Sequence, residues 1–488
     1  MLFNSWDFLL FFPAVTALYF AAPFRARWLV LLLASSAFYM AFVPRYIFIL
    51  LFTIGVDYFA GLAIASRKGA ARKRALVVSV LANVSILVFF KYWNFLQDNA
   101  AALAGALAIP YPAHRLDIIL PIGLSFHIFQ SLSYTIEVYR GNQPVERHFG
   151  VYALYVMFYP QLVAGPIERP QNLLHQFHAA HPFDYDRAAR GLQRMLWGLF
   201  KKVVIADRLA VMVTNVYGDV HRATGLTLIL ATVLFSFQIY CDFSGYSDIA
   251  LGAAEVMGYE LMENFRRPYF SKTVSEFWTR WHISLSTWFR DYLYIPLGGN
   301  RVSRARWSAN LMIVFLVSGL WHGASWTFVV WGAIHGAYLM AAIWTSDLRA
   351  RLRAASGLAS FPRVGRALDV ATVFALVTFA WIFFRAKTLG DAWYVATHLS
   401  SGLGAQLASS AGIRAAIRPL TMNPIELAVA ILALSVLEGV HLAQRRVKLR
   451  AAIALLPAWQ RWGLVYGAVL GVILLGVYSH QAFIYFQF

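Results

Sequence analysis

The chain has 488 residues, 60% of them hydrophobic and only 13% charged, with a formal net charge of +19. A soluble chain carries about 25% charged residues, so this composition excludes an ordinary soluble enzyme and indicates a polytopic membrane protein in which apolar runs of about 20 residues recur. The single Cys241 excludes an internal disulfide framework and a cysteine-based metal site, and the basic residues sit in short loops beside apolar runs, as cytoplasmic loops do, rather than on a nucleic-acid-binding face.

The first apolar run, Trp6 to Ala22, precedes the first basic residue, Arg25. It therefore reads as a retained membrane helix and not as a cleaved signal peptide. Trp28 to Val43 and Tyr46 to Ala65 follow, and then Arg67-Lys-Gly-Ala-Ala-Arg-Lys-Arg74, five basic residues without an acid. The positive-inside rule puts these loops in the cytoplasm and the N-terminus outside it. Ala75 to Phe90 crosses back, and Ile118 to Val138 is apolar but carries His127, Gln130 and Glu137, which must face protein or water. Phe149 to Val163 ends at Ala164-Gly-Pro-Ile-Glu-Arg-Pro170, where glycine and two prolines break the helix. Phe183 to Tyr217 mixes Arg187, Arg190, Arg194, Lys201, Lys202 and Arg208 with Leu, Met and Phe, and is expected to be a basic amphipathic helix leading into a buried one.

Leu226 to Tyr240 spans again, followed by Asp242-Phe-Ser-Gly-Tyr-Ser-Asp248 and an Ala-rich helix. The two aspartates read either as buried partners of an arginine or histidine, or as helix caps. Arg266 to Arg306 holds eight basic residues against Glu276 and Asp291 and belongs near the cytoplasmic face. Ala309 to Leu320 and Thr327 to Trp344 flank His322, and Arg349 to Arg366 forms a basic linker. Leu368 to Phe384, Ile425 to Leu442 and Trp462 to Tyr478 complete roughly a dozen membrane helices and leave the C-terminus outside. The expected class is thus an all-α polytopic integral membrane protein, one domain over residues 1–488 with its core at about 118–345. No internal repeat of the inverted transporter kind is visible.

The chemistry concentrates between Glu276 and Trp331. His322 lies between two apolar runs with Gly319 and Gly323 beside it. A buried imidazole there reads as a general base that removes a proton from an attacking hydroxyl, or as a structural histidine bonded inside the bundle. The glycines suit a narrow tunnel where backbone approaches a ligand. His282 stands 40 residues upstream. Read as one helix, Trp278, Trp281, Leu285 and Trp288 make an aromatic stripe, and His282, Ser286 and Arg290 make a polar stripe beside it. The alternative is an interfacial helix with a solvated polar face and tryptophan anchors. Arg290, Asp291 and Tyr294-Ile-Pro-Leu-Gly-Gly-Asn-Arg301 form a turn that can take the phosphates of a nucleotide-type thioester donor, or one charged for topology only. His335 is expected to be structural, and Glu137 and the Glu168-Arg169 pair to form ion pairs at helix ends. Neither a His-Glu-x-x-His zinc pattern, a Walker loop nor a dinucleotide fingerprint occurs, and no bound metal or cofactor is expected. The terminal Phe483-Ile-Tyr485-Phe-Gln-Phe488 reads as an aromatic interfacial anchor, or as a segment whose Tyr485 hydroxyl serves as acyl acceptor or relay.

At these residues the sequence resembles the membrane-bound O-acyltransferase superfamily, in its bacterial alginate O-acetyltransferase branch. The resemblance rests on Leu120-Pro-Ile-Gly-Leu-Ser-Phe126, Ser133-Tyr-Thr-Ile-Glu-Val-Tyr-Arg-Gly141, Asp242 to Asp248, Met262-Glu-Asn-Phe265, Glu276 to Arg301 and Gly319 to Gly336. The chain has Phe126-His127-Ile-Phe-Gln130 where that branch has Phe-Tyr-x-Phe-Glu. The resemblance implies helices around a central tunnel, catalysis by His322 in its Trp-His-Gly setting, and a role for His282 in positioning the donor or stabilising charge. Arg290, Asp291, Arg301, Trp321 and Ser286 then line the donor site or tunnel. It further implies acetyl-CoA or a similar acyl thioester as co-substrate, the bacterial inner membrane as location, membrane lipids as surroundings, and an extracytoplasmic acetyltransferase and an exported polysaccharide such as alginate as partners. The teichoic-acid D-alanylation branch shares both histidine motifs but uses a carrier-protein donor. Acylation of cellulose, peptidoglycan or teichoic acid, and a non-enzymatic export component with a polar histidine pathway, are the competing readings.

Overall fold

Backbone N–H and C=O groups find no water in a bilayer, so a spanning segment bonds them within itself as a helix or around a closed sheet. The protein, seen in a computed structural model that describes residues 1–447, 449–478 and 483–484, takes the first solution: the described residues form helices and no strand. Seven helical stretches among them are long and apolar enough to cross a membrane: Pro44–Ser66, Gly69–Ala106, Gly225–Met257, Trp326–Trp344, Pro362–Arg385, Pro424–Arg446 and Ala458–Leu475. Other runs of the expected dozen are helical too, but Trp6–Ala21 and Phe24–Met40 have only 16 and 17 residues, and Arg304–His322 is more polar. The chain divides into two compact units, Met1–Met195 with Tyr246–Glu263, and Leu196–Gly245 with Asn264–Phe488.

In the first unit, a buried carboxylate ties helices together. Asp57 of Ile47–Ser66 accepts hydrogen bonds from Ser79 Oγ at 2.6 Å and Asn83 Nδ2 at 2.9 Å. Ser79 Oγ also lies 3.1 Å from Thr135 Oγ1 on Leu124–Arg140. That last helix stops at Gly141, whose φ of +82° is left-handed, and Asn142 N–H closes back on Glu137 O at 3.0 Å. Glu137 pairs with Arg140 at 3.1 Å, as expected. Glu168 is fully buried, and its carboxyl accepts the backbone N–H of Met262. Asp248 pairs with Arg194 at 2.9 Å.

The amphipathic segment read at 183–217 proves to be interrupted. A π-helical turn at Phe200–Ala206 follows helix Tyr185–Leu199 and turns Lys201 and Lys202 into the interior. Lys202 Nζ sits 2.7 Å from both Asp207 Oδ1 and Asp242 Oδ1. Asp242 caps nothing: helix Gly225–Met257 runs unbroken through Asp242 to Asp248. Both aspartates pair rather than cap, but Asp242 is buried against a lysine 40 residues upstream instead of an arginine or histidine, and Asp248, paired with Arg194, is only half-buried.

Helices Arg304–His322 and Trp326–Trp344 pack as a hairpin. A Cβ built on Gly319 would stand 2.3 Å from Phe328 O, and one on Gly332 would stand 2.2 Å from Phe315 O. Gly319 and Gly332 therefore let two backbones approach each other, as small residues do between membrane helices; of the two glycines expected to border a ligand, Gly319 faces the neighbouring helix backbone and Gly323 the Phe328 ring. Gly332→Ala should lower the unfolding temperature of the detergent-solubilised protein, the overpacking costing about 1–3 kcal/mol. Gly439→Ala, where a Cβ meets nothing within 4 Å inside helix Pro424–Arg446, should not lower it and should raise it slightly.

Candidate active site

The segment leading to His282 is two short helices, Val274–Trp278 and Ile283–Phe289, rather than the single helix its tryptophan spacing suggests. Thr273 Oγ1 caps the first by accepting Glu276 N–H at 3.0 Å. Between the helices the chain turns through His282, which takes left-handed φ and ψ of 43° and 55°. For a residue other than glycine such a conformation costs roughly 1–3 kcal/mol and persists only where its surroundings demand it.

Asn264 makes that demand. Its carbonyl accepts Ile283 N–H at 3.0 Å. Its side-chain Oδ1 accepts Ser284 N–H at 3.2 Å and Ser284 Oγ at 2.7 Å. Arg266 N–H bonds Arg280 O at 2.9 Å, so residues 264–266 and 280–284 are laced on both sides of His282. The backbone turn drives the imidazole inward, and the ring is fully buried. Burial lowers its pKa from 6.5 to about 3, so the ring is neutral at ordinary pH.

His322 comes from a different place, the last residue of helix Arg304–His322, and is also buried. The two imidazole centroids lie 6.4 Å apart. Trp321 stands beside both, 6.0 Å from His282 and 5.0 Å from His322. Trp331 at 4.9 Å and Phe384 at 5.5 Å meet His322 edge-on. Phe243 meets His282 in the same way at 4.6 Å. His335 lies beyond Trp331, 5.1 Å from it and 5.0 Å from Trp278, and neither of its ring nitrogens has a hydrogen-bond partner among the described residues. Two buried imidazoles thus share a surround of aromatic rings, an arrangement that can transfer a proton at one and donate a hydrogen bond at the other.

The other residues singled out from the sequence fall elsewhere. The polar stripe does not form, because His282 precedes the helix and points into the interior. Ser286 is half-buried and donates to Trp281 O at 3.2 Å. Arg290 is exposed and paired with Asp291 at 2.8 Å, and Arg301 is exposed. The turn carrying these arginines is nevertheless tied to the histidine helix: Asn310 Nδ2 donates to Leu297 O at 3.2 Å and Gly299 O at 3.0 Å. From Asn310 to His322 the helix rises about 18 Å. Tyr485 lies outside the described residues. Asn264 and the wall residues Phe243, Trp331 and Phe384 had not been singled out; Asn264 sits in the Met262-Glu-Asn-Phe265 segment, and Phe384 lies beyond the expected 118–345 core.

Residues 116–385 match the model of the membrane-bound O-acyltransferase family. The chain is similar to the probable alginate O-acetylase AlgI of Pseudomonas aeruginosa, 41% identical over 400 residues that cover 80% of this chain and 74% of the relative. It is 40% identical over 398 residues to the probable alginate O-acetylase AlgI of Azotobacter vinelandii, covering 80% and 77%. It is also 37% identical over 402 residues to a peptidoglycan O-acetyltransferase of Helicobacter pylori, covering 76% and 72%.

His282 gives this geometry a pH signature. Its folded pKa lies below 6.5, so the unfolded state binds the extra proton, and stability must fall as pH drops from 6.5 towards 3. His282→Asn should flatten part of that slope in thermal denaturation followed across pH. Asn264→Ala strands both donors of Ser284 and should cost about 1–3 kcal/mol; Ser284→Ala should cost less, because the substitution keeps the backbone N–H and removes only the hydroxyl donor.

Proposed function

Because the chain belongs to the membrane-bound O-acyltransferase family and is a multi-pass membrane O-acyltransferase, we propose that it takes acetyl groups from acetyl-CoA or a similar cytoplasmic thioester and passes them across the bacterial inner membrane to O-acetylate an exported polysaccharide such as alginate. The observation that carries the reading is the buried pair of imidazoles 6.4 Å apart, one from a left-handed turn and one from a helix end. Structural histidines need no such convergence of two separate elements.

His322 acts as the base. Its imidazole accepts the proton of the attacking hydroxyl while the hydroxyl oxygen bonds to the acyl carbon. The carbon–sulfur bond then breaks, and the departing thiolate takes up the proton that His322 holds. His282, neutral, donates a hydrogen bond to the acyl oxygen as negative charge gathers there. The aromatic wall keeps water away from the thioester and so favours transfer over hydrolysis. A positioned base of this kind contributes about 10²–10⁴-fold in rate.

Exposed Arg290 and Arg301 receive the donor's phosphates from the cytoplasm, with Asp291 orienting Arg290. The span between their turn and His322 suits a donor with a long flexible arm between phosphate and thioester. Basic loops at Arg67 to Arg74 and Arg349 to Arg366 support cytoplasmic placement of those segments and both termini outside. The Tyr485 hydroxyl is the candidate first acceptor, since its chain neighbour Ile484 is bonded to Asp242. From there the acetyl group goes to an extracytoplasmic serine-type acetyltransferase that modifies the polymer. The Helicobacter pylori relative supports peptidoglycan as a second acceptor polymer.

The test is turnover of labelled acetyl-CoA by purified protein in lipid nanodiscs, with His322→Ala as control. Wild type should consume the donor, and the folded variant should be slower by about 10²–10⁴-fold. Label recovered on Tyr485 would establish the relay. An active His322→Ala would make that histidine structural and end the mechanism; a wild type inert towards acetyl-CoA would require another donor, such as a carrier-protein thioester.

A further inference from the structure

Leu475, Val477 and Ile484 are fastened within the second unit by their backbone groups. Arg208 Nη2 donates to Leu475 O at 2.6 Å. Val477 N–H donates to Val203 O at 2.9 Å. Ile484 N–H donates to Asp242 Oδ2 at 2.7 Å. Phe483 and Ile484 are buried, each 2% exposed.

Asp242 is set up for this bond. Lys202 holds its other oxygen at 2.7 Å and is itself held by Asp207 at 2.7 Å. Lys201 donates to Ser244 Oγ at 3.0 Å on the same helix stretch. With Lys202 shared between two carboxylates, Asp242 retains an oxygen and part of its charge for a further donor, and a backbone N–H to a buried carboxylate is among the stronger hydrogen bonds. The ring of the next residue, Phe243, has its centroid 6.0 Å from that of Phe483 and 4.6 Å from that of His282.

We propose that Asp242 is a latch: it pins Phe483 and Ile484 against Phe243, and Phe243 sets the ring of His282 for acyl transfer. Asp242, Phe243 and the Ile484 amide are then positioning groups of the active site, an inference that rests on the acyltransfer reading of the histidine pair. A latch is needed because His282 stands in a left-handed turn before its helix. Its backbone is laced by Asn264, but its ring direction is set by the side chains packed on it.

The decisive comparison is Ile484→Pro, which deletes the N–H, against Ile484→Ala, which keeps the N–H and removes side-chain bulk. The latch predicts that Ile484→Pro lowers kcat about tenfold or more with KM for acetyl-CoA nearly unchanged, while Ile484→Ala stays within about twofold of wild type. In an Asp242→Ala background Ile484→Pro should add nothing further. Equal losses in the two Ile484 variants would overturn the latch and leave only packing. Amide exchange of the peptide covering 476–488 gives a readout independent of turnover: slow in wild type and in Asp242→Asn, which keeps an acceptor, and fast in Ile484→Pro. Fast exchange in wild type would overturn the latch even if the enzyme is active. Slow exchange in an inert wild type would support the latch and sink the donor assignment instead. Fast exchange in Ile484→Pro with unchanged kcat would remove the positioning role.

Discussion

A polar group below the membrane surface must find its hydrogen bonds in the protein, because water cannot supply them. That constraint organises both units. Asp57 gathers Ser79 and Asn83, so a carboxylate inside a candidate span becomes a tie between helices. Lys202 is stabilised between Asp207 and Asp242. Asn264 directs its carbonyl and its side chain to the turn that carries His282, and Asn310 directs both bonds of its Nδ2 to the turn before Arg301. Each of these polar residues joins two stretches of chain. Each removal would leave a buried donor or acceptor unmet, which costs more than the bond itself contributes.

The two candidate catalytic histidines are held chiefly by rings, set among Trp321, Trp331, Phe384 and Phe243. Aromatic packing fixes the surroundings of both rings and buries them. The same rings make the site costly to rearrange, since each is shared: Trp331 lies against His322, His335, Trp278 and Trp381. Rigidity here serves orientation, and orientation is where much of the rate of a bimolecular transfer originates.

Much of this was legible in the sequence, and the failures have physical causes. Apolar runs announced helices because length and hydropathy are local properties. The meeting of His282 and His322 could be anticipated because a resemblance supplied the pair. The break at residues 279–282 could not, because Trp278, Trp281, Leu285 and Trp288 keep a helical spacing whether or not the chain between them is helical; their burial comes from tertiary packing instead. A left-handed histidine carries no glycine to announce it. Gly319 read correctly as a close-approach site, but only the hairpin shows that the approaching object is the neighbouring helix. The Lys202–Asp242 pair joins residues 40 apart through a π turn, which shifts the helical face in a way that a 3.6-residue count cannot follow.

The positions of the two histidines on their helices suit the roles proposed for them. His322 ends Arg304–His322, at the carbonyl end of the helix, where partial negative charge favours a cation. That placement is what the proposed role of His322 as a base requires. His282 precedes Ile283–Phe289, at the N–H end, where partial positive charge disfavours a cation and burial does the same. It is suited to remain neutral and to donate towards a developing oxyanion. The helix that ends in His322 begins at Ser303, whose hydroxyl caps it by accepting Arg306 N–H, beside the exposed arginines of the preceding turn. One rod of 19 residues thus joins the turn of the exposed arginines, bonded to it through Asn310, to His322, and the distance between Asn310 and His322 is fixed by helix geometry rather than by any loop.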